Sequence, residues 1–446
     1  MRRAVRLLLL AASAVLYVVA LAPAASAHSG IQSYVYMSFS DSAVDGRVEF
    51  PQSDLGEVLG IDFPAEPDAA EEVALANADA IRAYAAEHLA IGDPEGGWEL
   101  SFTDDPTILP AAGGYVQVSF TVERSFDAAP RSFQVDYDGI IHANPERDAL
   151  FIVENDWGTA RFNNEGDHLL GFSVGLTSQA IELDDVGPLE SIGAARGLGT
   201  DVLRDHPDHL LFVVALLLPA ALAPGAGRPL GPAPTAVDAT RRAAALLGVF
   251  IATSSLALWA LGLAGADWSD DLVGALVAGS LLVLALYAIV RVTSRERLVV
   301  GALGAVQGVG FAHAYLAVRL DRVDNPLTLL AFNLGTIVGI VTIAVLVFPV
   351  LVLLRRTALA GVALYGFAGA ISLYAVAWLI ERIGGADLPV ERVATPLTVW
   401  PRNLWLTFLA WAAAGGLFAW TARRDALRPL EGDDTTSDDE RPAVLS

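Results

Sequence analysis

The chain has 446 residues, 54% of them hydrophobic and 18% charged, with a net charge of −23 and no cysteine. That is too apolar for an ordinary soluble protein and too charged for one embedded in a membrane throughout, so a mixed architecture is expected. The missing cysteines exclude disulfides, thiolate metal sites and cysteine nucleophiles, and the acidic excess excludes nucleic acid as a partner, because phosphate binding needs clustered cations.

Arg2, Arg3 and Arg6 precede an apolar run from Leu7 to Val19 and the small-residue triplet Ala25-Ser26-Ala27. This pattern predicts a signal peptide over residues 1–27, with an uncleaved anchor as the alternative. Cleavage would leave His28 at the N-terminus, where amine and imidazole together suit a Cu(II) or Ni(II) site.

Residues 28–195 read as an exported, acidic, β-rich domain. Period-two alternation marks strands at 33–39, 115–122 and 132–137. Ala69 to Leu89 carries helical spacing, and Gly113-Gly114 and Asp138-Gly139 are turn signals. A β-sandwich-like domain with a helical insert is the simplest packing, and about 180 residues can build a core without disulfides. Between His28 and Asp208 there are 34 carboxylates against 8 arginines. Asp136 to Gly139 and Glu154 to Asp156 hold calcium-loop residue types without EF-hand spacing and read as solvated acidic turns.

A linker over 196–208 contains Asp201, Asp205 and His206. Seven apolar runs follow, at 209–224, 243–265, 272–290, 298–318, 328–354, 359–380 and 403–421. Their lengths predict an all-α polytopic membrane bundle of about seven helices over 209–421. Alternate loops carry Arg228, Arg241 and Arg242, then Arg291, Arg295 and Arg297, then Arg355 and Arg356, whereas the loop after the second run carries Asp267, Asp270 and Asp271. The positive-inside rule then sets the N-terminal domain outside a bacterial plasma membrane and the acidic, disordered tail, 422–446, in the cytoplasm.

Four polar residues within the bundle fall at similar depth by counting along helices: Asp208 and His209 opening the first run, His313 in the fourth and Asn333 in the fifth. Such groups usually face the bundle interior. They predict an outward-facing vestibule of two imidazoles, a carboxylate and an amide, suited to a transport or metal site, with Asp201, Asp205, His206, Gln307 and His28 as accessory donors. The alternative is structural: Asp208 as a helix cap, the imidazoles in local hydrogen bonds, Asn333 as a tie between helices. Gly304, Gly308 and Gly310 read as small residues that let helices approach closely.

Four segments now suggest a family: Asp208-His209-Leu210-Leu211-Phe212, Gly308-Val309-Gly310-Phe311-Ala312, Ala331-Phe332-Asn333-Leu334-Gly335 and Trp378-Leu379-Ile380-Glu381-Arg382. In order and spacing, residues 195 to 382 resemble the HupE/UreJ proteins, bacterial membrane proteins associated with nickel-enzyme gene clusters and regarded as nickel or related metal permeases. The resemblance implies metal transport and carries over Asp208, His209 and Asn333. The chain departs from the family pattern at Val202, Gln307 and Thr253-Ser254-Ser255, where the family has histidines. It departs again at Gly274 and Ile337, where the family has glutamates, and at Ile340, where it has glutamine.

No hydrolase, metalloprotease, P-loop or dinucleotide motif is present, so no enzymatic activity and no cofactor are expected. The expected partners are membrane lipids, a divalent metal ion, and a second copy of the chain or a surface protein. The rival function is a non-transporting surface protein, in which the exported domain binds a ligand or protein and the bundle is an anchor.

Overall fold

The computed structural model describes residues 32–40, 43–109, 114–222, 235–266, 268–290, 295–318, 326–355 and 360–384, with single positions at 413, 415, 416 and 420. The expected signal peptide, His28, the body of the seventh apolar run and the acidic tail lie outside the described residues.

The N-terminal region runs β1 (Ser33–Phe39), β2 (Val44–Pro51), α1 (Gln52–Leu59), α2 (Pro67–Ala76), α3 (Ala78–His88), β3 (Leu89–Asp93), β4 (Gly96–Gly97), β5 (Leu100–Ser101), β6 (Thr107–Leu109), β7 (Tyr115–Val122), β8 (Ser132–Tyr137), β9 (Ala149–Asp156), β10 (Leu170–Phe172) and β11 (Ser178–Glu182). One sheet has the order β10-β9-β1-β2-β7-β5, with β6 also on β7; the other has the order β11-β8-β3-β4. The β1–β9 pair is parallel, so β1 is buried inside its sheet between a hairpin partner and a distant strand.

Alternation explains the two faces. In β8, Phe133, Val135 and Tyr137 are buried while Ser132, Gln134 and Asp136 are exposed. Val35, Met37, Val48, Phe50, Val118 and Phe120 from the first sheet meet Ile91, Phe133, Val135 and Ile181 from the second in one core. The helical spacing over Ala69 to Leu89 resolves into two helices broken at Asn77, whose Nδ2 donates to the Val73 carbonyl at 2.8 Å. That bond offers the backbone an alternative to continuing the helix. The acidic stretch at Glu154 to Asp156 differs from a solvated turn. Glu154 pairs with Arg47 at 2.5 Å, and buried Asp156 accepts twice from Arg131 at 2.9 Å.

The helical region comprises α4 (Pro188–Asp205), α5 (Pro207–Leu222), α6 (Ala236–Ala264), α7 (Asp270–Val290), α8 (Glu296–Ala317), α9 (Pro326–Leu354) and α10 (Ala360–Gly384). Among the described residues, five helices, α6 to α10, are long and apolar enough to cross a membrane. A sixth span results if α4 and α5, bent by 72°, count as one. The outer helices present leucine and valine outward, as at Leu256, Leu263, Val290 and Leu373, which are all exposed; lipid tails rather than protein suit these faces. By contrast α5, 16 residues and so about 24 Å long, is wrapped almost completely, from Leu210 to Leu222.

Helix α4 carries Glu190, Asp201 and Arg204 and is too polar to be read as a span. It lies against α9 at backbone contact. A Cβ on Gly199 would collide with the Phe332 carbonyl, and one on Gly335 with the Arg196 carbonyl. Thr200 Oγ1 donates to the Gly335 carbonyl at 3.2 Å. The β region is seated on the same end: Ser191 Oγ donates to the Trp157 carbonyl at 2.8 Å, and Phe162 is buried in the bundle's own apolar cluster. At the opposite end Arg242 bonds Glu296 at 2.6 Å and the Pro219 carbonyl at 3.3 Å, and Arg355 bonds the Thr235 carbonyl at 3.0 Å.

Gly335→Val should force α4 off α9. Overpacking at such a contact costs about 1–3 kcal/mol, so the thermal midpoint of the detergent-solubilised chain is expected to fall. Gly279→Val, with nothing within 4 Å of its Cβ, is the control; equal midpoints for the two variants would refute the close packing.

Candidate metal site

Helix α5 starts at the break below α4. Pro207 occupies its first turn, where a missing N–H is no loss. Asp208 follows, at the positive end of the helix dipole, and then His209. Counting along the sequence places this pair at the outer edge of the bundle; the structure places it deeper. His209 Nδ1 lies 2.5 Å from Gln307 Oε1, and Gln307 is about 15 Å from the end of α8 at Ala317. The difference arises because α4 carries the chain down along α9 before α5 begins.

A relay of hydrogen bonds orients His209. Ser280 Oγ donates to the Val277 carbonyl at 2.8 Å, so it accepts from Gln307 Nε2 at 2.9 Å. The Gln307 oxygen is thereby turned to His209 Nδ1, at 2.5 Å, which Asp208 Oδ2 also approaches at 3.5 Å. Nε2 lies on the side of Gly310. A histidine that donates from one ring nitrogen to a fixed acceptor and presents the other is the usual arrangement of a metal-ligating imidazole. Gly310 makes room for this ring: a Cβ there would lie 2.8 Å from His209 Cε1. Gly304 and Gly308 instead face the backbone of α6, at the Phe250 and Ser254 carbonyls, so the three glycines do not share one role.

A cavity of about 370 Å³ opens above His209. Asp208 and His209, both buried, form its floor, and His206 lies beside them with its ring 6.0 Å from that of His209. His313 and the exposed Asp270, 3.1 Å apart, stand at its mouth with Asp201. Asn163 reaches the rim from the β region. The wall includes Arg382, which lies 3.5 Å from Asp271 and packs over Gly274.

The sequence-derived donors thus divide. Asp208, His209, His206 and His313 share the cavity. Gln307 lies beneath it and orients His209. Asn333 is not in the lining; its Oδ1 accepts from Ser255 Oγ at 2.9 Å and ties α9 to α6. The side chain of Asp205 and all of His28 lie outside what the structure describes. Sequence reasoning passed over Asp270 and Arg382 as site residues, although Asp270 stood in the acidic loop and Arg382 in the Trp378-to-Arg382 segment.

Residues 179–382 match the family model described as HupE / UreJ protein. No curated protein and no solved structure matches the chain. Three of the departures from the family pattern meet at the cavity: Val202 and Gly274 line it, and Gln307 holds its His209; Thr253 to Ser255, Ile337 and Ile340 are not in its lining. The four segments, in order, and the polar cavity built between them all lie within residues 179–382, the stretch of this chain that is similar to the HupE / UreJ family.

Proposed function

We propose that the chain is a divalent transition-metal permease of the HupE/UreJ type, with the cavity as its outward-facing vestibule and Asp208 and His209 as the binding floor. The observation that carries this reading is a buried imidazole, His209, oriented by Gln307 through Nδ1 at 2.5 Å and lying beside the buried Asp208 carboxylate on the floor of a polar cavity. Imidazole and carboxylate donors suit Ni²⁺, Co²⁺, Zn²⁺ and Cu²⁺ better than hard ions. The N-terminus of α5 alone would repel a cation through the helix dipole; Asp208 offsets that end and makes the position usable. Sites at the break of a discontinuous helix, near the bilayer midplane, are a general solution for ion transport.

The signal peptide expected over residues 1–27 would set the β region and the cavity mouth outside, with Arg242, Arg295, Arg297 and Arg355 on the cytoplasmic side in accord with the positive-inside rule. The acidic N-terminal domain would then raise the local concentration of cations at the mouth. A second reading, a surface protein anchored by a bundle that no longer transports, is favoured by Val202 and Gly274, apolar positions in the wall where the family has donors.

Cells expressing the wild type and Asp208→Ala/His209→Ala at equal membrane levels would separate the two. Elemental analysis after exposure to Ni, Co, Cu, Zn and Mn is expected to show accumulation of one ion that the double variant abolishes. No difference for any ion would support the anchored surface protein.

Gln307→Leu keeps the volume and removes the acceptor that orients His209. Loss of such an orienting partner typically weakens metal affinity about 10–100-fold, so half-saturation of uptake should rise by that order. Gln307→Glu, which keeps an acceptor oxygen, should lose less. Uptake by Gln307→Leu equal to the wild type would sink the orienting role.

A further inference from the structure

The N-terminal domain holds a second set of metal-type donors, none of them in the lining of the bundle cavity. His88 is the last residue of α3, Asp138 follows β8, and His142 comes four residues later. Pairing of β3 with β8 sets Leu89 opposite Tyr137 and so draws His88 to Asp138. His88 Nδ1 lies 2.7 Å from Asp138 Oδ1. The His142 ring stacks on the His88 ring at 4.2 Å and 9°. One donor atom from each of the three lies within 4.8 Å of the other two; among the described residues this is the one group of His, Asp and Glu side chains so arranged.

The loop that supplies two of these residues is held in an unfavourable shape. Ile140 has φ 63°, a left-handed backbone that a β-branched residue rarely adopts. Its N–H donates to the Tyr84 hydroxyl at 2.7 Å, and the side chains of Ile140 and Ile141 are buried in the sheet core. The turn closes through the His142 N–H to the Asp138 carbonyl at 3.0 Å, which returns His142 over His88. Tyr84 walls the pair, its ring 4.4 Å from His88 and 6.0 Å from His142. A strained segment kept by buried anchors is a common companion of a functional site.

We infer that His88, Asp138 and His142 form a binding site for a divalent transition-metal ion of the Zn²⁺, Ni²⁺, Co²⁺ and Cu²⁺ class. Two imidazoles and a carboxylate are the donor types these ions select. A tetrahedral ion holds its donors about 3.3 Å apart, from metal–nitrogen distances near 2.0–2.1 Å. His88 Nδ1 and Asp138 Oδ1 stand closer than that, at 2.7 Å, and the third donor lies within 4.8 Å, so an ion would part the hydrogen-bonded pair slightly and draw in the exposed His142 while the largely buried His88 stays as anchor. Three protein donors leave a coordination position for water, so the ion remains exchangeable. This site stands independently of whether the bundle transports.

The test uses the full-length chain in detergent, stripped of metal and titrated with Co²⁺, whose visible absorption reports tetrahedral nitrogen and oxygen ligation. Four proteins are compared: wild type, His142→Ala, His142→Phe and Asp208→Ala/His209→Ala. His142→Phe keeps an aromatic ring on His88 and removes the donor. The expected result is a saturable band in the wild type, retained in Asp208→Ala/His209→Ala and displaced by Zn²⁺. Both His142 variants should weaken binding at least about tenfold. Zn²⁺ should also raise the unfolding temperature of Asp208→Ala/His209→Ala by mass action and leave it unchanged when His142→Phe is added to that background. A band absent from the wild type, equally strong in His142→Phe, or lost only with Asp208 and His209 would overturn the inference.

Discussion

The contact of α4 with α9 decides where the polar groups of the bundle lie. Helix α4, with Glu190, Asp201 and Arg204, is not held in the bundle by hydropathy alone. It packs on α9 because Gly199 and Gly335 let two backbones touch, so that dispersion contacts and the Thr200 hydrogen bond to Gly335 replace the missing side-chain hydrophobicity. Its charges are handled locally, as with Arg204 on Asp201 at 3.1 Å. Once α4 is seated, the 72° bend delivers the start of α5 to the interior. Asp208 and His209 are buried as a consequence of that path.

Burial then makes demands that the neighbours meet. An imidazole in a water-poor interior needs its donor satisfied, or it loses the free energy of an unmade hydrogen bond. The His209–Gln307–Ser280–Val277 relay provides this and holds the ring in one orientation. The same chain of bonds ties α5 to α8 and α7. Gly310 completes the arrangement by leaving the ring its space.

Much of the N-terminal domain is legible in the sequence, because strands with one face in the core and one in solvent repeat at period two; the spans at 33–39, 115–122 and 132–137 are β1, β7 and β8. The break at Asn77 is hidden by apolar spacing that continues through it. In the membrane half, apolar length marks α6 to α10, but α4 escapes because a glycine face adds nothing to hydropathy. Depth counting brings Asn333 to the right level without giving its direction, and α9 turns it toward Ser255. His313 is visible as a lone imidazole in an apolar run; its partner Asp270 is just one acid in an acidic loop until α7 and α8 meet. His88 and Asp138 are 50 residues apart and come together only through the β3–β8 register.

The departures from the family pattern acquire a physical meaning in this arrangement. With glutamine at 307, the side chain under His209 is an acceptor and orienter, a task that needs an oxygen fixed by Ser280 and no metal bond of its own. With glycine at 274, the wall has room for Arg382, which packs where a side chain would stand and extends toward Asp271. A guanidinium in that wall opposes a bound cation unless carboxylates outweigh it, and Asp208, Asp270 and Asp201 supply the opposing charge around the same space. The cavity thereby has His209 and Asp208 at its floor, with His206 beside them and His313 paired to Asp270 at the mouth. If the chain transports as proposed, fewer strong donors would mean a weaker hold on any one ion, which suits a site that must release its ion as readily as it captures it.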